Sequence, residues 1–367
     1  MIRLAKPRIS DHAIKQVTEV LRSGNLVQGE KVSQFENTLE QYLGVKHAVA
    51  VSSGTAALHI SLLSLDIGPG DEVIIPAFTY PATANAVEIV GAKPVFVDIN
   101  LDDFCINTKK IEEVITKNTA AIMPVHEFGQ PARMDDIIFL CEKHNLLLIE
   151  DAACALGTSF DSKKAGTFGD FGCFSFHPRK AITTGEGGLI VTDNNEFAKK
   201  ARILRNHGIL IENNKINYVA AGLNYRMTDF QAVIGIDQLQ KLDEDIAYKI
   251  ELAKVYDEKL ADFQWISVPK LFEHRKMVYQ TYHIIVNDNI NRDKLIKHFK
   301  KNNIETNFGA QALNCTSYYR DKYNLKKESN PNASIAYHKG VALPIGSHIN
   351  DNDIENIVQA IKKFKNV

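Results

Sequence analysis

What this 367-residue chain lacks removes whole classes of function. Charge of one sign is not in excess: Lys+Arg number 43 and Asp+Glu 44, for a formal net charge of -1. A nucleic-acid binder needs a basic surplus to neutralise phosphates, so that role loses support. The short basic group Lys297, Lys300 and Lys301 reads as the solvated face of a helix. The five cysteines (Cys105, Cys141, Cys154, Cys173, Cys315) are scattered, odd in number and without a Cys-x-x-Cys pair. Neither a zinc site nor a disulfide framework follows, and the expectation is reduced thiols in a cytoplasmic protein. The segment Met1-Ile-Arg-Leu-Ala-Lys-Pro-Arg8 has no apolar signal core. No apolar run approaches the roughly 18 residues of a membrane span.

Several catalytic signatures are also missing. No Gly-x-Gly-x-x-Gly opens a helix after a strand; Gly68-Pro-Gly-Asp71 precedes a strand, the reverse of the dinucleotide-binding order. There is no Walker loop, no Gly-x-Ser-x-Gly elbow and no His-Glu-x-x-His. His126-Glu127 lacks the second histidine one turn later, so no metal site is expected there.

What is present is the pattern of an α/β enzyme. Hydrophobic residues make up 45% and charged residues 24%, and the length allows two domains. Apolar, β-branched runs predict strands at Glu72–Pro76, Pro94–Asp98, Ala120–Val125, Leu146–Glu150, Phe171–Phe176 and Gly188–Thr192. Helices are predicted between them at Ala56–Leu65, Pro81–Val90, Met134–His144 and Glu196–Arg205. This alternation implies a mostly parallel sheet flanked by helices. The texture then changes. One long amphipathic helix is predicted from Leu239 through Leu242, Ile246, Ile250 and Ala253 to Tyr256, followed by a strand at Tyr282–Val286 and helices at Arg292–Asn302 and Asp353–Phe364. The expected division is a large domain, residues 1–245, and a smaller C-terminal α/β domain, residues 246–367.

Three segments carry candidate chemistry. Val51-Ser-Ser-Gly-Thr-Ala-Ala57 leads into a predicted helix, where glycine allows close backbone approach and free N–H groups attract an anion. A merely capped helix start reads equally well. Leu146-Leu-Leu-Ile-Glu-Asp151 puts a carboxylate at the end of an apolar strand, where open α/β sheets bind ligands. Asp151 there faces a cation or donor, a pyridinium nitrogen for instance, or else caps a helix. Phe174-Ser-Phe-His-Pro-Arg-Lys180 sets a lysine after a strand, 29 residues beyond Asp151. Burial near cations can lower a lysine pKa enough for attack on a carbonyl.

Together these segments resemble the DegT/DnrJ/EryC1/StrS family of fold-type I, pyridoxal-phosphate-dependent sugar aminotransferases. The resemblance runs through Gly29-Glu30, Ser52–Ala57, Pro124-Val-His-Glu-Phe-Gly-Gln130, Glu150–Ala153, Ser175–Lys180, Thr184–Gly188 and Asn224-Tyr-Arg-Met-Thr-Asp229. It implies that Lys180 bonds covalently to the cofactor aldehyde and that Asp151 pairs with the pyridine nitrogen. Gly54, Thr55 and Ser175 would surround the phosphate, Tyr80 would stack on the ring, and Cys154 would lie near the phenolic oxygen. Asn224 would reach the phosphate of a neighbouring subunit, so that a homodimer shares its sites. His177 would stand behind these contacts. The implied reaction moves the amino group of L-glutamate to a nucleotide-linked keto-deoxysugar, C-4 favoured over C-3, for a surface polysaccharide or glycoconjugate. It releases 2-oxoglutarate and passes through pyridoxamine 5'-phosphate.

The chain departs from the family at three places. Cys154 stands where relatives often carry glutamine or histidine, and a thiol is a weaker hydrogen-bond partner. Arg179 replaces a common threonine; with Arg226 and Gln311 it is a candidate substrate contact. Asn307-Phe-Gly-Ala-Gln-Ala-Leu313 replaces a His-Tyr-Pro-like stretch ahead of Tyr318-Tyr319, which keeps a small ketose phosphate or an inosose open as the acceptor. A regulatory or binding protein on the same fold is the remaining reading, and intact Lys180 and Asp151 weigh against it.

Overall fold

The computed structural model describes residues 1–364. At its centre lies a seven-stranded sheet in the spatial order His47–Val51, Gly188–Thr192, Phe171–Ser175, Leu147–Asp151, Thr119–Ile122, Glu72–Pro76 and Lys93–Val97. The last five run parallel, while Gly188–Thr192 is antiparallel to both of its neighbours. The expected mostly parallel sheet is therefore what forms. Glu72–Pro76 and Gly188–Thr192 are buried along their whole length because helices cover both faces.

The flanking helices follow from local chemistry. Gly54–Ser64 is apolar almost all round, with Ala56 to Leu62 buried, as befits a helix laid between the sheet and other helices. Met134–His144 carries Asp135 and Asp136 in its first turn and Lys143 and His144 in its last, matching the helix dipole, and ends on Asn145 in the left-handed region.

The structure differs from the sequence pattern at three places. His47–Val51 is an Ala-rich edge strand that the pattern does not signal. The strand expected at Ala120–Val125 ends at Ile122, after which the chain leaves the sheet; Val125 only bridges Asp151. The long helix expected from Leu239 to Tyr256 forms as Leu242–Leu260; Leu239 instead closes the preceding helix, Asp229–Leu239, and Lys241 at φ -110° and ψ 3° parts the two. Gln238 marks the break: its amide group both donates to the Thr183 carbonyl and accepts from the Thr183 amide. The apolar stripe continues across the break, which is why periodicity alone reads one helix.

The C-terminal part builds a three-stranded antiparallel sheet, Ile266–Ser267, Tyr282–Val286 and Gly340–Leu343. Against it pack Leu242–Leu260, Arg292–Lys301 and Asp351–Lys363. Tyr256 and Tyr282 stack there at 4.6 Å, and the Tyr256 hydroxyl donates to the Pro344 carbonyl. Phe78, Phe104 and Phe128 belong to the same apolar cluster, so this core is continuous with the rim of the large sheet. Lys297, Lys300 and Lys301 lie exposed on their helix, as expected. Among the described residues, no helix is long and apolar enough to cross a membrane.

Candidate active site

Side chains alternate along a strand, so neighbouring Glu150 and Asp151 leave Leu147–Asp151 in different directions. Glu150 is fully buried and structural: it accepts from the amides of Gly166, Phe168 and Gly169 and pairs with His126 Nε2 at 2.9 Å. Asp151 lines a cavity of about 340 Å³ instead. Its Oδ2 accepts from Thr83 Oγ1 at 2.8 Å and its Oδ1 from the Ala153 amide at 3.1 Å. Burial raises its pKa, and those two donors, Lys180 and His126 pull it back only in part. A cation placed against this carboxylate would complete its ionisation.

The helix Gly54–Ser64 aims its N-terminus at the same cavity. Ser53 takes the amides of Ala56 and Ala57, through its side chain and its carbonyl, and leaves the first two amides of the helix for a ligand. Backbones crowd here. A Cβ on Gly54 would stand 2.8 Å from the Ser175 Cβ, and one on Gly188 only 2.3 Å from the Ser53 carbonyl oxygen. Thr55 and Ser175 stand beside this helix start on the cavity wall.

The Lys180 amine enters the cavity and donates to the Cys154 sulfur at 3.0 Å. Burial disfavours its ammonium form, yet Cys154, Asp151 and Glu127 together outweigh burial and raise its pKa. The cations expected to lower that pKa are thus replaced by acids. Burial also raises the pKa of Cys154, and Lys180 pulls it back only in part. Glu127 shares this wall; burial first, then Asp151, push its carboxyl up to about 8.

Tyr80 stands 71% exposed at the cavity, and His177 and Arg179 also line it. Arg226 and Gln311 are not among the lining residues: Arg226 donates to Asn206 Oδ1, and Gln311 pairs with Thr79 in a two-residue strand. Asn224 is exposed and lies outside its own chain's cavity. Sequence reasoning missed Thr83 and Glu127. Thr83 meets Asp151 across 68 residues, which no local pattern signals. Glu127 stands within the segment Pro124–Gln130 that carries the resemblance, and its place beside the strand-end loop is the signal for it.

An anion site at a helix start, a buried carboxylate and an amine thus converge on one cavity. These groups match the phosphate, ring nitrogen and aldehyde of pyridoxal phosphate. Comparison with known proteins agrees. The family model described as the DegT/DnrJ/EryC1/StrS aminotransferase family matches residues 7–362. GDP-perosamine synthase of Caulobacter vibrioides is 36% identical, over 98% of this chain and 97% of that one. The UDP-4-amino-4-deoxy-L-arabinose–oxoglutarate aminotransferase of Shewanella sediminis is 34% identical, over 98% and 97%. Among solved structures, a putative sugar aminotransferase from Streptococcus pneumoniae in its PMP form superposes with a TM-score of 0.94 at 28% identity, covering 98% of this chain and 96% of that one. The chain belongs to the DegT/DnrJ/EryC1/StrS aminotransferase family and is a pyridoxal-phosphate-dependent transaminase.

Proposed function

We propose that this transaminase moves the amino group of L-glutamate to C-4, in preference to C-3, of a nucleotide-linked keto-deoxysugar, in a route to a surface polysaccharide or glycoconjugate. The observation that carries the reading is the convergence of the Lys180 amine, the Asp151 carboxylate and the Gly54 helix start on one cavity. The relatives' names support the acceptor: one is a GDP-perosamine synthase, the other an aminotransferase for a UDP-linked 4-amino sugar that is paired with oxoglutarate.

Bound pyridoxal phosphate supplies an electron sink for the substrate carbon. The protein's residues do the rest. Asp151 would keep the proton on the ring nitrogen, which favours electron acceptance there. The amides of Gly54 and Thr55 and the Ser175 hydroxyl would hold the phosphate. Lys180 Nζ would hold the cofactor by its aldehyde. The same nitrogen, when free, would take the proton from the donor's carbon and hold it for return, the work of a positioned general base and acid. Tyr80 covers the ring face, and Arg179 at the mouth offers charge to an anionic acceptor. A second cavity of about 390 Å³ shares Arg179, Lys180, Gln280 and Thr281 with the first and adds Lys6, Arg8 and Lys241, which gives a large acceptor room.

We read the working form as a homodimer in which Asn224 serves the partner's site. Its exposure supports this, as do the exposed Ile211, Ile216 and Tyr218 on the hairpin Ile209–Glu212 and Lys215–Tyr218. Residues 1–245 would form the cofactor-binding unit and 246–367 the smaller one, of which 365–367 lie outside the described residues. Five unpaired thiols support a cytoplasmic location.

One observation favours a second acceptor class: Gly309 and Ala310, inside the departing segment Asn307–Leu313, line the cavity. Glutamate with a panel of keto acceptors separates the two. Continued release of 2-oxoglutarate, beyond one per site, is expected with a 4-keto nucleotide sugar; turnover confined to a small ketose phosphate or an inosose would overturn the nucleotide-sugar reading.

A further inference from the structure

Glu127 stands where the transamination chemistry has no assigned use for an acid. It is 5% exposed and lines the cavity together with Lys180, Cys154 and Asp151. Its place is held firmly. The turn Glu127–Gly129 carries Phe128 at φ 55°, a left-handed conformation that costs a bulky residue roughly 1 kcal/mol or more. Surrounding bonds impose it. The His126 amide donates to the Asp151 carbonyl and the Asp151 amide to the Pro124 carbonyl, which locks the loop to the strand bearing Asp151. His126 is fixed on both ring nitrogens, by the Ala132 amide and by Glu150. Thr158 Oγ1 and the amides of Val278 and Gln280 hold the carbonyls of Gly129 and Phe128 from the other side. These bonds fix the backbone that carries Glu127 at the cavity wall.

We infer that Glu127 is a positioning residue of the transaminase site, an acid that acts beside Asp151 and Cys154 and whose charge strengthens the hold of the Lys180 nitrogen on its proton. The inference rests on the reading of Lys180 as the cofactor lysine. The groups that face Glu127 are Asp151 from the central strand, Cys154 from the loop after it, Lys180 from the segment after Phe171–Ser175, the buried Cys105, and the Phe128 amide of its own turn. Tyr80, His177, Arg179 and Glu186 line the same cavity.

The physical reason is a conflict between binding and catalysis. Lys180 must present a lone pair to take a proton from a substrate carbon. With Asp151 and Glu127 both ionised beside it, the amine would be held as an ammonium ion. A neutral Glu127 removes one of the two charges, and its pKa near 8 places it in that state at neutral pH. Above that range the carboxylate forms and attracts a proton to the Lys180 nitrogen, raising its pKa. The sign is therefore fixed: abolishing the charge must lower the pH at which that nitrogen gives up its proton.

The test reads the visible absorption of the protein loaded with pyridoxal phosphate, which reports the protonation of the cofactor-linked Lys180 nitrogen, as pH is raised. Glu127→Gln, similar in shape and uncharged, should move the midpoint down by about one pH unit or more, the size of shift an adjacent charge produces. Glu127→Asp should restore most of the wild-type midpoint, which a purely structural role would not do. Cofactor uptake and circular dichroism show that each variant is folded. Identical midpoints in wild type and Glu127→Gln would overturn the proposal. Lys180→Ala is the separate control: if it keeps the band, the assignment of Lys180 fails, whereas loss of the band with an unmoved Glu127→Gln midpoint defeats the Glu127 role alone.

Discussion

At the scale of single residues, the site is a problem of buried acids. Glu150 and Asp151 are neighbours in sequence with opposite duties: four donors meet the first, two the second. The shortfall at Asp151 is what makes it available to a cationic ring nitrogen. Thr83 sets how available. Its hydroxyl stabilises the carboxylate and partly offsets the burial that raises the Asp151 pKa. Thr83→Val removes that donor, so the carboxyl rises further and is less ionised at a given pH. The expected cost is about 1 kcal/mol, roughly a fivefold rise in the Kd for pyridoxal phosphate. A carboxylate with a raised pKa is lost as pH falls, so the penalty should grow toward acid. Equilibrium dialysis at two pH values measures both effects, and an affinity that is unchanged at both would contradict them.

At the scale of elements, the helix Gly54–Ser64 matters for where it begins. Its start is wedged against Phe171–Ser175, so Gly54→Ala puts a methyl group 2.8 Å from the Ser175 Cβ. Overpacking of this kind typically costs about 1–3 kcal/mol and displaces the amides with the chain. Affinity for pyridoxal phosphate should fall more than affinity for pyridoxal, which lacks the phosphate; equal losses would show that the helix start does not hold the anion. The strands and helices around this site were largely legible. Glu72–Pro76, Gly188–Thr192, Met134–His144 and Tyr282–Val286 form at their expected limits because apolar runs and clear stop signals coincide there. His47–Val51 was not legible, since its alternating alanines carry little strand preference. The helix break at Gln240–Lys241 was hidden because the apolar stripe runs across it from Leu239 to Leu242. The site divides in the same way. Asp151 and Lys180 stand at strand ends inside recognisable segments, whereas Thr83 and Glu127 reach the cavity only through long-range packing.

At the scale of the molecule, one topological feature organises the rest. Gly188–Thr192 runs against both neighbours and returns the chain from the Lys180 segment to the edge strand His47–Val51, which delivers the helix start at Gly54. Amine, carboxylate and anion site thereby meet at one end of the sheet, although 126 residues separate Gly54 from Lys180. The net charge of -1 provides no overall attraction for an anionic acceptor, so local groups such as Arg179, Lys6 and Arg8 must supply it. The central claim is that this cavity transaminates through Lys180. It is tested most directly by mixing the protein loaded with pyridoxal phosphate with L-glutamate alone, in the absence of any acceptor. The account predicts loss of the cofactor's visible band and release of one 2-oxoglutarate per site, with neither change in Lys180→Ala. Full retention of the band by the wild-type protein, or equal release by Lys180→Ala, would contradict it.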